Sequence, residues 1–184
     1  SSDLDELTGL GLSNLVAVGV KVVKLGVFLL TVALHLVLDN FGAPSQARGG
    51  DRDEWFNNDD LSIFHSRLCI QGDLQTGRQP YLFDNFVMVF NGNITNFKAL
   101  AKSNRLICLK KKIFSDTEVI AELFQKFGEN CFKLLNGFYS ICIYDVSKKC
   151  FTMASDRTGQ KPLYWYLCDD TFIFSSTLEI FYEN

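Results

Sequence analysis

A short apolar segment followed at once by a polar Asn-Gly pair constrains the fold of this chain more than any other feature. Residues 86–90 (FVMVF) are typical of a buried strand, and Asn91-Gly92 predicts a sharp turn at the end of that strand. The pair would leave a side-chain amide and a backbone N–H pointing the same way, as two donors for an oxyanion. Alone, an Asn-Gly pair is more often just a hairpin turn, so both interpretations stay open at this point.

Residues 116–127 carry the clearest helix signals in the chain. Ser115 is placed as the N-cap, Glu118 completes a capping box, and Gly128 supplies a C-terminal stop. One face of this helix is apolar at helical spacing and consists of Ile120, Leu123, Phe124 and Phe127. Residues 97–103 predict a second, shorter helix.

Several short apolar segments bounded by turn residues predict the strands around these helices. They lie at residues 61–70, 86–90, 137–145, 150–155, 163–167 and 171–175. With 17 Phe and 3 Pro, the chain suits an aromatic, strand-rich interior. Because hairpin-like strand pairs flank both helices, we expect an α+β fold in which helices cover antiparallel sheets.

Composition limits the class of protein and its partners. Hydrophobic residues make up 47% of the 184 residues and charged residues 21%, which is typical of a globular domain. The net charge of −3 and the pI near 5.4 exclude a general electrostatic attraction to nucleic acid. The one basic run, residues 110–112 (KKK), is interpreted as a solvated loop or strand end.

The first part of the chain differs from the rest. Residues 12–38 are dense in Val and Leu, but the uninterrupted stretch at residues 25–38 is shorter than the ~20 residues that a membrane-spanning helix needs. We favour a buried core element there over a membrane anchor. Residues 41–50 are rich in Gly, Pro and Ser, so we predict a divergent hydrophobic segment at residues 1–45 and the main domain at residues 46–184.

The cysteines and histidines are scattered rather than clustered. Six cysteines show no C-x-x-C spacing and only two histidines accompany them, so no metal site is expected. This pattern suits reduced cysteines in a cytoplasmic protein, several of them buried in strands. Cys142 is predicted to be a core residue and not a nucleophile.

Three polar sites along the chain suggest chemistry when they are taken together. Arg67 lies within an apolar strand and must find an anion there, either a protein carboxylate or a ligand carboxylate. Asp116 stands at a helix N-terminus, where it either complements the helix dipole or holds a cation. Asn91 and Gly92 would serve a carboxamide oxyanion. A ligand with a carboxylate, an ammonium and a carboxamide is an amino acid with a side-chain amide, which is glutamine or asparagine.

Five motifs in order give the chain a family resemblance. They are residues 65–70 (HSRLCI), 91–96 (NGNITN), 114–120 (FSDTEVI), 135–139 (LNGFY) and 156–164 (DRTGQKPLY). The chain resembles the class II glutamine amidotransferase domain of asparagine synthetase over residues 48–180. The resemblance implies an N-terminal-nucleophile (Ntn) hydrolase fold, with stacked antiparallel sheets covered by helices.

The same resemblance implies roles for individual residues in binding and hydrolysing glutamine. Arg67 would bind the glutamine carboxylate, Asp116 its ammonium, and Asn91 and Gly92 would form the oxyanion hole. The pocket would be completed by Leu68, Ile70 and the backbone of Asn93. In the family, an N-terminal cysteine thiolate attacks the amide, and the released ammonia passes to a synthetase domain that makes asparagine or a related amide with ATP and Mg²⁺.

The chain departs from the family at two places. It begins Ser1-Ser2 and its first cysteine is Cys69, so no N-terminal Cys nucleophile is found, and Ser1 is the first candidate in its place. It also has no S-G-G-x-D-S loop for pyrophosphate, so ATP and Mg²⁺ are expected only in a missing or partner synthetase domain. Enzymatic activity is therefore left open. The alternatives to a glutaminase are a catalytically dead, glutamine-binding or scaffold relative and, through residues 12–38, a membrane-attached interaction protein.

Overall fold

The computed structural model of the protein describes residues 12–17, 20–26, 52–57, 61–67, 76–168, 171–178 and 181. Within these residues the strands are β1 (Leu12–Ala17), β2 (Val20–Gly26), β3 (Arg52–Asn57), β4 (Ser62–Arg67), β5 (Tyr81–Phe83), β6 (Phe86–Ile94), β7 (Gly137–Asp145), β8 (Cys150–Ser155), β9 (Tyr164–Cys168) and β10 (Thr171–Ser175). The α-helices are α1 (Phe97–Asn104) and α2 (Asp116–Phe127), and short 3₁₀ helices span Ile107–Lys110 and Gly128–Leu134.

Antiparallel pairing joins six of these strands into one main sheet in the order β1-β2-β8-β7-β6-β5. The hairpins β3–β4 and β9–β10 form two further two-stranded sheets. The central strands β7 and β8 are buried over most of their length. The order of strands cannot be read from the sequence, because β2 pairs with β8 across more than a hundred intervening residues.

One face of the main sheet is covered by the helices. Met88, Phe90 and Ile94 of β6 and Ile141 and Ile143 of β7 pack in one cluster with residues of both helices. The helical members of this cluster include Phe97, Ala101, Ile120, Leu123, Phe124 and Phe132. Burial of this continuous apolar layer holds α1 and α2 against the sheet.

The opposite face of the main sheet packs against the two smaller sheets. Val87 of β6 and Phe151 of β8 belong to a second cluster with Leu61 and Ile63 near the start of β4 and Phe172 of β10. Phe151 lies with its ring centroid 5.0 Å from that of Phe172. The fold therefore has three layers, which are the helices, the main sheet and the two smaller sheets. This arrangement confirms the predicted α+β class with antiparallel sheets and covering helices.

Helix α2 begins and ends where its sequence signals place it. The Ser115 hydroxyl accepts a hydrogen bond from the Glu118 N–H, and the Glu118 carboxylate accepts one from the Ser115 N–H at 2.9 Å, so the capping box is complete. Gly128 ends the helix with φ +57°. Of the predicted apolar face, only Phe127 departs, since it is 36% exposed at the helix end.

Three of the predicted strands have the predicted bounds. β7, β8 and β10 occupy the predicted residues, and Cys142 is a buried core residue of β7 as predicted. In the hydrophobic N-terminal segment, β1 and β2 form a hairpin at the edge of the main sheet, and residues 27–51 lie outside the described residues. None of the helices in the described part of the chain has the length and apolar character needed to cross a bilayer.

Candidate functional site

Strand β6 continues through Asn91 and Gly92 instead of turning there. Asn91 lies opposite Ser140 of β7 and Gly92 opposite Tyr139, and the ladder ends at Ile94. The predicted sharp turn at the Asn-Gly pair is therefore wrong. Strong pairing with a buried neighbouring strand outweighs the local preference of an Asn-Gly pair for turns.

Two glycines allow β6 and β7 to approach closely at this point. Gly92 has φ +150°, and a Cβ on it would lie 2.2 Å from the carbonyl oxygen of Phe138. Gly137 has φ +148°, and a Cβ there would lie 2.1 Å from the carbonyl oxygen of Asn93. Both positions therefore require glycine, for their backbone conformation and for the contact.

The hydrogen bonds of Tyr139 fix the direction in which Gly92 points. The Tyr139 N–H donates to the Asp156 carboxylate at 3.0 Å, and the Tyr139 carbonyl accepts from the Asp156 N–H at 2.8 Å. Tyr139 therefore directs its backbone groups toward β8 and not toward Gly92, the residue opposite it in β6. In an antiparallel ladder this means that the Gly92 N–H and C=O face the outer edge of β6.

Asp116 comes to the end of the same strand edge. It is the first residue of α2, it is only 6% exposed, and its carboxylate accepts hydrogen bonds from the N–H groups of Ile94 at 3.1 Å and Thr117 at 3.0 Å. The helix N-terminus favours a negative charge there. The structure thus brings together Gly92 and Asp116, two residues that the sequence analysis assigned to one site.

Asn91 is half-buried and shares a face of the main sheet with Val87 and Val89. Val87 belongs to the cluster that contains Leu61 and Ile63, and Val89 packs against this cluster. The Asn91 side chain therefore lies on the face of the main sheet where β4 packs. This is the side from which a group on β4 could approach it.

The other predicted pocket residues are covered only in part. Arg67 is the last residue of β4, opposite Arg52 of β3, and its side chain lies outside what the structure describes. Leu68 and Ile70 lie outside the described residues, as does the candidate nucleophile Ser1. Asn93 is half-buried on β6, opposite Phe138. The roles of these residues stay predictions.

Sequence reasoning included Asp156 in a family motif but gave no role to it, and this residue organises the backbone beside the site. Its carboxylate accepts hydrogen bonds from the N–H groups of Tyr139, Thr158, Gln160 and Lys161 and from the Thr158 hydroxyl. Burial opposes the charged form, but these hydrogen bonds outweigh it and lower the pKa of Asp156 to about 2. An Asp followed two residues later by Thr is a turn signal that could have identified it.

Gln79 was missed as well. It is buried, and its side-chain oxygen accepts a hydrogen bond from the N–H of Phe90 at 2.5 Å. Gln79 stands between Arg78 and Pro80 in a polar segment before β5. Nothing in that local pattern distinguishes it from a surface glutamine.

Three buried cysteines are poor candidates for a nucleophile. Burial raises the pKa of the Cys108 thiol to about 12 and also raises the pKa values of the Cys131 and Cys142 thiols. Their reactive thiolate forms are therefore scarce at neutral pH. Within the described residues, no three His, Cys, Asp or Glu side chains come together as metal ligands would.

A family model described as a glutamine amidotransferase domain matches residues 29–184. The chain belongs to this family. The predicted class II glutamine amidotransferase domain of the asparagine synthetase type is thereby confirmed. The match begins at residue 29, and the predicted boundary between residues 45 and 46 stays a prediction.

Curated relatives of this amidotransferase domain are named glutamine-hydrolysing asparagine synthetases. Asparagine synthetase 3 of Arabidopsis thaliana is 36% identical over 139 residues, which cover 72% of this chain and 23% of the relative. The Zea mays enzyme is 36% identical over 136 residues, covering 72% and 22%. Asparagine synthetase 3 of Bacillus subtilis is 29% identical over 136 residues, also covering 72% and 22%. The matched region thus spans less than a quarter of the length of each of these relatives.

Proposed function

We propose that this amidotransferase domain binds glutamine and hydrolyses its side-chain amide, releasing ammonia for the synthesis of asparagine or a related amide. The observation that carries the proposal is the placement of the buried Asp116 carboxylate beside the outward-facing backbone of Gly92. A carboxylate at the edge of a site suits the binding of an ammonium group, because hydrogen bonds between oppositely charged groups are stronger than those between neutral groups.

The spacing of these two groups suits glutamine. Asp116 is bonded to the N–H of Ile94, which lies two residues beyond Gly92 on the same strand. Two residues of extended strand span about 6.6 Å. An extended glutamine measures about 5 Å from its α-nitrogen to its carboxamide carbon, given ordinary bond lengths. An ammonium held at Asp116 would therefore allow the carboxamide to reach Gly92.

The chain's residues would divide the work between binding and catalysis. The N–H of Gly92 and the side-chain amide of Asn91 would donate to the oxygen of the carboxamide as negative charge develops on it. Asp116 would hold the α-ammonium and Arg67 the α-carboxylate, while Leu68, Ile70 and Asn93 would line the pocket. Donors fixed in the folded backbone need no reorganisation during the reaction, and this makes them effective.

The remaining parts of the reaction come from the family resemblance. The Ntn-hydrolase fold would present an N-terminal nucleophile, activated by its own α-amine, to the carboxamide carbon. Ammonia would then pass to a synthetase domain or a separate synthetase chain that uses ATP and Mg²⁺. We place the reaction in the cytoplasm, with glutamine as the ligand and no role for nucleic acid. No feature of the described residues favours a catalytically dead relative over a glutaminase.

The proposal is tested by glutamine binding and glutamate release in the wild type and in Asp116→Asn. The substitution keeps an oxygen that can accept the Ile94 N–H but removes the charge that would hold an ammonium. We expect glutamine to raise the melting temperature of the wild type and glutamate to appear. The apparent Kd for glutamine should rise at least tenfold in Asp116→Asn, which corresponds to about 1.4 kcal/mol.

The control is Asp145→Asn, the same chemical change at a buried aspartate in the last position of β7, opposite Phe86. It should change the Kd for glutamine by less than about twofold, since it lies at the far end of the β6–β7 pair. Equal responses of the wild type and Asp116→Asn to glutamine would contradict the assignment of this pocket. Binding without glutamate release would instead support the catalytically dead alternative.

A further inference from the structure

We propose that Gln79 is a positioning residue that ends strand β5 early and keeps the edge of β6 open at Gly92 for the glutamine carboxamide. The inference rests on the proposed function, because it assigns a purpose to the outward-facing N–H of Gly92. Its physical basis is a hydrogen bond between two parts of the chain that are eleven residues apart.

The register of β5 against β6 shows what Gln79 replaces. Tyr81 lies opposite Met88, so a β5 extended by two more residues would place Gln79 opposite Phe90. Two residues further, the same register would place Gly77 opposite Gly92. The backbone of a longer β5 would therefore cover the N–H of Gly92.

The chain instead leaves the sheet before it reaches Gly92. Gly77, with φ +64°, lies against the start of α2, where a Cβ on it would be 2.5 Å from the Ser115 hydroxyl. The side-chain oxygen of Gln79 takes the place of a backbone carbonyl and accepts the N–H of Phe90 at 2.5 Å. The β5–β6 ladder can therefore end at this point, because the N–H of Phe90, on a buried strand, still has an acceptor.

A second side chain closes the other end of the open edge. Phe90, Gly92 and Ile94 alternate along β6, so their N–H groups face the same side of the strand. Gln79 accepts the first of these groups and Asp116 the third. Neither takes the N–H of Gly92 between them. The two side-chain oxygens thus hold the strand on either side of the proposed oxyanion donor.

This arrangement predicts an effect on catalysis more than on binding. An oxyanion donor interacts most strongly when negative charge develops in the transition state, so its displacement lowers kcat with little change in KM. Small displacements are costly, since a misplacement of about 1 Å can reduce a rate by about a hundredfold. Substitution of a residue that only maintains the fold would not lower kcat while leaving KM nearly unchanged.

The first experiment compares glutamine hydrolysis by three variants of the full chain. Gln79→Leu removes the acceptor oxygen at similar size, and we expect kcat to fall at least tenfold while KM stays within about twofold. Gln79→Glu keeps an acceptor oxygen and should recover most of kcat. Gln125→Leu is the control, because that glutamine is exposed on α2 and its amide donates to Asp84.

The second experiment measures amide hydrogen exchange by NMR and does not depend on glutamine. In Gln79→Leu the N–H of Phe90 should exchange at least tenfold faster than in the wild type, whereas the N–H of Ile94, held by Asp116, should keep its rate. Gln79→Glu should protect Phe90 again. This comparison also identifies a variant that has merely lost its fold, because exchange would then rise throughout the chain.

The outcomes separate the two proposals. If the wild type releases no glutamate, the proposed glutaminase function fails, and exchange at Phe90 then decides alone whether Gln79 holds the edge of β6. If the wild type is active, an unchanged kcat in Gln79→Leu overturns the inference. A rise in KM at constant kcat, or unchanged exchange at Phe90, also overturns it.

Discussion

At the residue scale, Asp156 shows how one carboxylate organises a turn next to the site. Its oxygens accept hydrogen bonds from four backbone N–H groups and one hydroxyl, all within the β7 strand and the turn at residues 156–161. Through Tyr139 it also determines which way the backbone opposite Gly92 points. The charged form of Asp156 is therefore part of the folded structure.

Stability should depend on the ionisation of Asp156. Its pKa is lowered from 3.8 in the unfolded chain to about 2 in the folded one, so the folded state favours the charged form. The stabilisation is fully present above about pH 4 and is lost as the pH falls from about 4 to about 2. Urea denaturation of the wild type and Asp156→Asn between pH 6 and pH 2 measures this contribution.

The two proteins should differ most at neutral pH and converge near pH 2. Asp156→Asn should be less stable above about pH 4 and should lack part of the decline below it. A constant difference in the free energy of unfolding over the whole pH range would contradict an ionised Asp156. Whole-chain acid unfolding from other carboxylates is present in both proteins and cancels in the comparison.

The sequence indicates which residues belong to the site better than it indicates which groups these residues contact. The helix signal at Ser115 correctly placed Asp116 at a helix N-terminus. The family motif assigned Gly92 to the site, but the sequence predicted a turn there, whereas Gly92 lies within strand β6. The hydrogen bond from Ile94 to Asp116 joins elements that are distant in sequence, so no local pattern predicts it. Gln79 escaped notice for the same reason, since its partner Phe90 lies eleven residues away, on strand β6.

At the scale of elements, the pairing of β6 with β7 depends on Gly137. A Cβ at this position would lie 2.1 Å from the Asn93 carbonyl oxygen, which belongs to the backbone and cannot move away alone. We expect Gly137→Ala to lower the free energy of unfolding by more than about 2 kcal/mol, through this contact and the positive φ. Urea denaturation measures the loss.

Gly159→Ala is the reference for a glycine with a positive φ and no close contact. Gly159 also has a positive φ, +64°, but a Cβ there would meet nothing within 4 Å. This variant should lose only about 1 kcal/mol, which is the cost of the left-handed conformation. Equal losses in the two variants would contradict the larger cost expected at Gly137 from its contact with Asn93 and from its φ of +148°.

Element boundaries follow the sequence where local signals and packing agree. Helix α2 matches its prediction because the capping box, the apolar face and Gly128 all indicate the same segment. Strand β6 is four residues longer than predicted, since it includes Asn91 to Ile94. Polar residues at the end of an apolar segment indicate a turn when the partner strand is unknown. The 3₁₀ helix Ile107–Lys110 was not predicted, since its first N–H groups are bound by Glu122, a residue of α2.

At the scale of the whole molecule, the two hydrophobic clusters share the strands of one sheet. Neighbouring residues of β6 and β7 belong to different clusters. On β6, Met88 lies in the helix-side cluster and Val87 in the other, and on β7 the same holds for Ile141 and Cys142. A strand that contributes to both faces cannot lose one cluster and keep the other intact. Unfolding of this part of the chain should therefore be cooperative.

Substitutions in either cluster should lower the free energy of unfolding of one and the same transition. Leu123→Ala in the helix-side cluster and Phe172→Ala in the other should each cost about 2–5 kcal/mol. Far-UV circular dichroism and tryptophan fluorescence should give coincident curves; Trp165 reports the second cluster, with its ring 6.4 Å from that of Phe172. Ile107→Ala, at a 69% exposed position, is the control and should change stability by less than about 0.5 kcal/mol. Separate transitions would show that the two faces fold independently.

The pairing of β2 with β8 bears on the order in which the chain folds. β2 spans Val20–Gly26, and its partner spans Cys150–Ser155, so β2 leaves the ribosome long before β8 is made. Until then, the β1–β2 hairpin has no neighbour in the main sheet, and contacts that close so long a loop form slowly. During synthesis the hairpin would wait as an apolar, open-edged unit, and the cell must keep that edge from pairing with other chains until β8 emerges.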